Sequence, residues 1–225
     1  MKTKLFVCLA ASLVVLLYSA AQNPPLQRGI SVQLAPATNA EAMPEADDPN
    51  AWIVTVTADS VLYFGTTPVT SEGLYYKMKA RSHKLPKKLY VKADARAPYS
   101  SVERVLAGVH SFFDSVIVLT LQAAPAAPGS TVLPRGIEVL ITAPAAGLKP
   151  SVELEAAAQG APALTVNHEP VAWDALPRTL KSLLEDRDKV VPIEVTGAVP
   201  FAPVVRVADQ CHLVGVRVVL PAPTL

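Results

Sequence analysis

The chain has 225 residues, with 20 Lys and Arg against 19 Asp and Glu, and is 51% hydrophobic but only 17% charged. That balance excludes a disordered polyampholyte, and a formal net charge of +1 gives no electrostatic reason to expect nucleic acid as a partner. The 21 prolines favour many short elements over long helices, and the two cysteines, Cys8 and Cys211, exclude a disulfide framework and a cysteine-built zinc site.

Lys2 and Lys4 precede an uncharged apolar run over residues 5–21, after which the chain turns polar at Gln22 and Asn23. The run (domain 1–21) reads as a signal peptide cleaved after the small residues Ser19, Ala20 and Ala21, or as an uncleaved membrane anchor near the short limit for spanning a bilayer. In both readings the lysines mark the inner side, and the rest of the chain lies outside the cytoplasm. The run holds no Asp, Glu, His, Lys or Arg, so it cannot relay protons by itself.

Residues 30–34, 53–57 and 61–64 alternate at period two and are predicted strands; the acidic, proline-containing stretch 38–50 between the first two reads as an exposed loop. A helix follows over 70–81, carried by Leu74 and Met78 and capped by Thr70 or Ser71. Residues 88–92 are a predicted strand, 100–113 a helix with Val102, Val105, Leu106 and Val109 on its apolar face, and 116–121 a closing strand. Residues 122–134, rich in Ala and Pro, read as a semi-rigid linker and a domain boundary.

Beyond the linker the first module recurs. At a constant offset of 102 residues Leu62 matches Leu164, Pro68 matches Pro170, Leu74 matches Leu176, Pro98 matches Pro200, Tyr99 matches Phe201, Arg104 matches Arg206 and His110 matches His212. At the front, Arg28-Gly29-Ile30 returns as Arg135-Gly136-Ile137. Matches that hold one register read as a duplication, which an element-by-element assignment would miss. The second copy is predicted to carry strands over 152–156, 163–166, 191–195 and 215–220, with helices over 173–184 and 203–213. The expected fold class is α+β, each copy a small sheet with two helices on one face, able to bury one core.

Two strings carry a family resemblance. Tyr63-Phe64-Gly65-Thr66-Thr67-Pro68-Val69-Thr70 before the first helix, and Lys92-Ala93-Asp94-Ala95-Arg96-Ala97-Pro98-Tyr99 before the second, resemble the extracytoplasmic domain of the ExbD/TolR family. The resemblance covers residues 28–121 as a first domain and extends more faintly to 135–221 as a degenerate second, behind an N-terminal apolar helix. It implies a non-enzymatic biopolymer transport protein with one inner-membrane helix and its bulk in the periplasm. The implied partners are an ExbB/TolQ-like channel and a TonB/TolA-like protein in a Ton/Tol-type energy-coupled machine, and for TolR-like members peptidoglycan. Two copies in one chain then imply an internal pseudo-dimer. The apolar run departs from the family in lacking its Asp, and Thr196 stands where Asp94 would repeat. The alternative is a secreted periplasmic cell-wall-binding or scaffold module with no channel partner, soluble after signal cleavage.

The family-motif residues Gly65, Pro68, Asp94 and Tyr99 read as structural: Asp94 can fix a turn through backbone hydrogen bonds, and Tyr99 shares a ring with Phe201 but not a hydroxyl. Lys77, Lys79, Arg81, Lys84, Lys87 and Lys88 lie in a stretch without acids and form a candidate patch for an anionic surface. Ile30, Val32 and Leu34 mark a strand separated from its sheet by a long loop, a candidate edge for pairing with a partner peptide. The histidines His83, His110, His168 and His212 lack metal-ligand spacing, no nucleophile motif or phosphate loop occurs, and no cofactor is expected.

Overall fold

The computed structural model describes residues 29–122, 132–142, 149–184 and 189–223. In chain order the first half contains β1 (Pro36–Ala37), β2 (Glu41–Ala42), β3 (Ile53–Val56), β4 (Leu62–Phe64), β5 (Thr67–Val69), α1 (Ser71–Ala80), β6 (Tyr90–Ala93), α2 (Tyr99–Val109) and β7 (Ser115–Gln122). The second half contains β8 (Arg135–Thr142), β9 (Val152–Glu155), β10 (Ala163–Val166), β11 (Glu169–Pro170), α3 (Leu176–Leu183), β12 (Val190–Thr196), α4 (Phe201–Leu213) and β13 (Arg217–Pro221). The apolar run over 5–21 and most of the Ala/Pro linker lie outside the described residues.

The fold is mixed α+β, with one large sheet and four α-helices among the described residues. Instead of the two small sheets expected, the strands follow one path, β11-β10-β9-β12-β13-β8-β7-β6-β3-β4-β5. Each half contributes an antiparallel meander, β3-β4-β5 or β9-β10-β11, that continues in parallel through β6 to β7 or through β12 to β13. The join is β8, antiparallel to β7 over six residue pairs from Ser115↔Leu140 to Thr120↔Arg135 and parallel to β13 on its other side. The parallel strands of one half therefore run opposite to those of the other.

The alternation that marks the strands places Val54, Val91, Val118, Val139, Ile193 and Val218 on one face, where they pack in a single apolar cluster with Leu74, Val105, Leu180 and Val204 from the four helices. Thr70 Oγ1 accepts from Gly73 N at 3.0 Å to cap α1, which buries Leu74 and Met78 one turn apart. Gly108 on α2 allows that helix to meet the start of α1: a Cβ there would lie 2.8 Å from the Ser71 carbonyl oxygen. On the opposite face the acidic stretch is not simply an exposed loop. Its 3-10 turn Pro44–Asp47 brings Met43 and Ala46 over Tyr90, Ile117 and Leu119 in a second, smaller cluster.

Residues 30–34 do not form the predicted strand. Their period-two exposure pattern survives, with Ile30, Val32 and Leu34 half-buried and Gly29, Ser31 and Gln33 exposed, but β-pairing begins only at Pro36, parallel to the end of β7. The reason is the fate of their polar groups: Gln33 N donates to the Asp94 carboxylate and Gln33 O accepts from Ala95 N, so this stretch bonds to a turn and not to a ladder.

Candidate functional site

Asp94 follows β6 directly and is 2% exposed. Its carboxylate takes two hydrogen bonds from the Arg96 guanidinium, Nε at 2.9 Å and Nη2 at 3.0 Å, and one each from the backbone N–H groups of Gln33 and Arg96, both at 3.0 Å. The Arg96 side chain and those N–H donors hold the carboxyl well below the usual carboxylate range, although burial alone would raise it. Such a group stays ionised and fixes a turn; it does not exchange a proton near neutral pH. Thr196, at the matching place in the second half, is exposed and its carbonyl accepts from Ala156 N, so the charged junction belongs to the first half.

Five residues on, Tyr99 opens α2, and here the two halves touch. Tyr99 N donates to Val199 O at 2.9 Å, while Phe201 N donates to Ala97 O at 2.8 Å, with Pro98 and Pro200 forming an antiparallel bridge between them. The pairs exchange under the offset of 102, so each side gives the other the same bond. Ala202 N adds a bond to Ala95 O. Both rings are buried, Tyr99 at 2% and Phe201 at 1% exposure. Among the described residues the Tyr99 hydroxyl has no hydrogen-bond partner, and burial pushes its pKa up. The Pro-aromatic pair recurs in the sequence at the offset of 102; nothing in that spacing says that the two segments bond to each other.

Gly65 and Pro68 sit at one end of the sheet. With φ of +63°, Gly65 begins the two-residue turn between β4 and β5, where Phe64 pairs with Thr67. Pro68 lies on edge strand β5 and Pro170 on edge strand β11, the two ends of the sheet path. A proline at each end removes a donor that an added strand would use. The stretch carrying Ile30, Val32 and Leu34 is at neither end; it lies beside the ends of β6 and β7.

The basic run divides in the structure. Arg81 lies over the Trp52 and Phe64 rings at 5.6 and 5.8 Å, Lys79 over Tyr75 at 5.9 Å, and Lys88 is 3.9 Å from Glu45. Lys77 is half-buried, and Lys84 and Lys87 are exposed in the connection from α1 to β6. That connection enters the N-terminal end of β6, whereas Gln33 meets the C-terminal end at Asp94 and Ala95. Two histidines pair with acids, His168 with Glu153 at 3.6 Å and His212 with Glu41 at 3.5 Å, while His110 Nδ1 is 2.9 Å from Ala107 O. Among the described residues no three metal-ligating side chains gather, and no helix is long and apolar enough to cross a membrane.

Among curated proteins and among solved structures the chain finds no match. One family does match: the model of the biopolymer transport protein ExbD/TolR fits residues 7–123, which takes in most of the apolar run, the Gly65 to Pro68 turn, Asp94, Tyr99 and β7. With more than half its length matched, the chain belongs to the ExbD/TolR family of biopolymer transport proteins.

Proposed function

We propose that this chain is a non-catalytic, membrane-attached component of a Ton/Tol-type energy-coupled envelope transport system. It is held in the inner membrane by residues 5–21 and acts through protein contacts in the periplasm. The observation that carries this reading is the family match, which begins within the apolar run and continues to the end of β7. The partners are an ExbB/TolQ-like channel and a TonB/TolA-like protein. The channel supplies the proton path, because the apolar run has no Asp, Glu, His, Lys or Arg of its own.

Residues 28–121 and 135–221 are two copies of one module, folded against each other as an internal pseudo-dimer. The repeated strand order and the reciprocal Tyr99–Val199 and Phe201–Ala97 bonds support this, since mutual exchange of one contact is the mark of a two-fold interface. The test is made on the full chain in detergent. It is expected to be monomeric by light scattering and to co-purify with a co-expressed channel protein of the ExbB/TolQ class. An obligate homodimer would contradict the pseudo-dimer, and failure to co-purify would contradict the motor role. A second reading, a soluble periplasmic cell-wall-binding module, is favoured by the small residues Ser19, Ala20 and Ala21. A mature N-terminus at Gln22, read by mass spectrometry, would select it.

A further inference from the structure

The two halves carry different charge at one matching place. Across the last turn of α1 and the 3-10 turn Ser82–Lys84 that follows it, Lys77, Lys79, Arg81 and Lys84 stand in a stretch with no acid between Glu72 and Asp94. None of the four takes part in the ion pairs at Glu41, Glu45, Asp94 or Glu153. Arg81 rests on the Trp52 and Phe64 rings and Lys79 on Tyr75, contacts that orient a charge without cancelling it. Lys87 and Lys88 are not counted with them, because they share a hollow with Glu45 and Asp48.

A basic helix end can serve the fold alone, since cations offset the negative end of a helix dipole. The second half shows that the module does not need it. At the offset of 102 residues Lys77 becomes Thr179, Arg81 becomes Leu183 and Lys84 becomes Asp186, and only Lys79 keeps its charge, as Lys181. Helix α3 still forms over Leu176–Leu183, with Lys181 the single basic residue of its last turn.

We propose that the end of α1 is a membrane-docking surface: Lys77, Lys79, Arg81 and Lys84 hold the first half against anionic headgroups of the bilayer in which residues 5–21 are anchored. The inference rests on the anchoring proposed above. Residues 22–28 join the apolar run to the first described residue, and a fully extended chain of that length spans at most about 30 Å. Gln33 is bonded at the C-terminal end of β6, and the connection carrying Lys84 enters at its N-terminal end, about 20 Å away at the rise of a strand. With β6 lying along the bilayer both ends reach it. The anchor makes this contact intramolecular, so a modest charge attraction suffices, and it favours the bilayer over a polyanion that must arrive by diffusion. Tyr76, one turn from Lys79 and 57% exposed, adds an amphipathic ring of the kind that sits at headgroup level.

The test places the full chain in nanodiscs of phosphatidylcholine alone or with about 30% phosphatidylglycerol. A water-soluble amine-acetylating ester is added, and the labelling rate of each lysine is read by mass spectrometry. Lys79 and Lys84 are expected to label about fivefold more slowly on the anionic discs, with Lys181 of the second half unchanged. Raising NaCl to about 1 M, where the screening length falls to about 3 Å, is expected to abolish the protection. The double variant Lys77→Thr, Lys84→Asp, which copies the second half, is expected to remove it at Lys79. Equal rates on the two discs, equal slowing at Lys181, protection that survives high salt or the double variant, or protection by added poly-Glu or soluble peptidoglycan fragments but not by anionic lipid would each overturn the proposal. A chain that stays in the discs yet labels equally in both lipids overturns this proposal alone. One that does not stay in the discs overturns the membrane attachment as well.

Discussion

Asp94 illustrates how a buried carboxylate can fix a turn. Two backbone N–H groups and a guanidinium converge on a side chain that water does not reach. In Asp94→Asn one acceptor oxygen becomes an NH₂ facing those same donors, so the expected loss is about 2 kcal/mol of stability, measured by urea unfolding. The pH dependence follows from the depressed pKa. Above the unfolded carboxylate value, 3.8, the unfolded and folded groups are both ionised and the stabilisation is fully present. As pH falls below that value the unfolded chain takes up a proton that the folded one refuses, and stability declines. Melting temperatures between pH 5 and pH 2 are expected to drop more steeply for the native chain than for Asp94→Asn; parallel curves would contradict the assignment. The sequence supplied Asp94 as a turn-former, and that much was legible. Its partner Gln33, sixty-one positions earlier, was not, because no local pattern says which backbone group a buried carboxylate will meet.

Helices and most strands were readable because each is written locally. Leu74 and Met78 one turn apart, and the alternation through Ile53 and Val56, point to the apolar face whatever lies across from it. Two kinds of element escaped. The edge strands β5 and β11 are too short to show a period, and their hairpins depend on a positive φ at Gly65 in one half and at Asn167 and His168 in the other. Residues 30–34 failed in the opposite sense: the alternation was real, but alternation reports which side is buried and not where the N–H groups go. The helix pair gives a sharper test of local packing. Gly108 has the Ser71 carbonyl oxygen 2.8 Å and Leu74 Cδ2 3.3 Å from where a Cβ would sit, so Gly108→Ala must push α1 and α2 apart despite the higher helix propensity of alanine. The expected outcome is a destabilisation of about 1–3 kcal/mol in chemical unfolding, with overpacking outweighing the propensity gain. A stabilised variant would mean that the two helices do not approach this closely.

The placement of β8 decides how the molecule behaves as a unit. It begins the second half in sequence, yet it pairs with β7 of the first half along six residue pairs while holding β13 on its other side. Residues of the first half also reach across. Thr38 N and Asn39 N donate to the Asp209 carboxylate on α4, Glu41 and Ala42 pair with β8, and Met43 N donates to Pro134 O. Non-local pairings of this kind leave no trace in composition, which is why the linker reads as a boundary between independent bodies while the apolar cluster runs through both halves. A protease site inserted between Gln122 and Arg135 makes the consequence measurable. Cleavage there cuts the chain without removing any strand pair, so the two fragments are expected to co-elute in gel filtration as one particle of the uncut size. Their unfolding midpoint is expected to become concentration-dependent, because separation of the fragments then carries a translational entropy gain that the intact chain lacks. Fragments that separate under native conditions would show that β7 and β8 do not hold the halves together, and the reciprocal bonds at Tyr99 and Phe201 would then be too weak to define a pseudo-dimer.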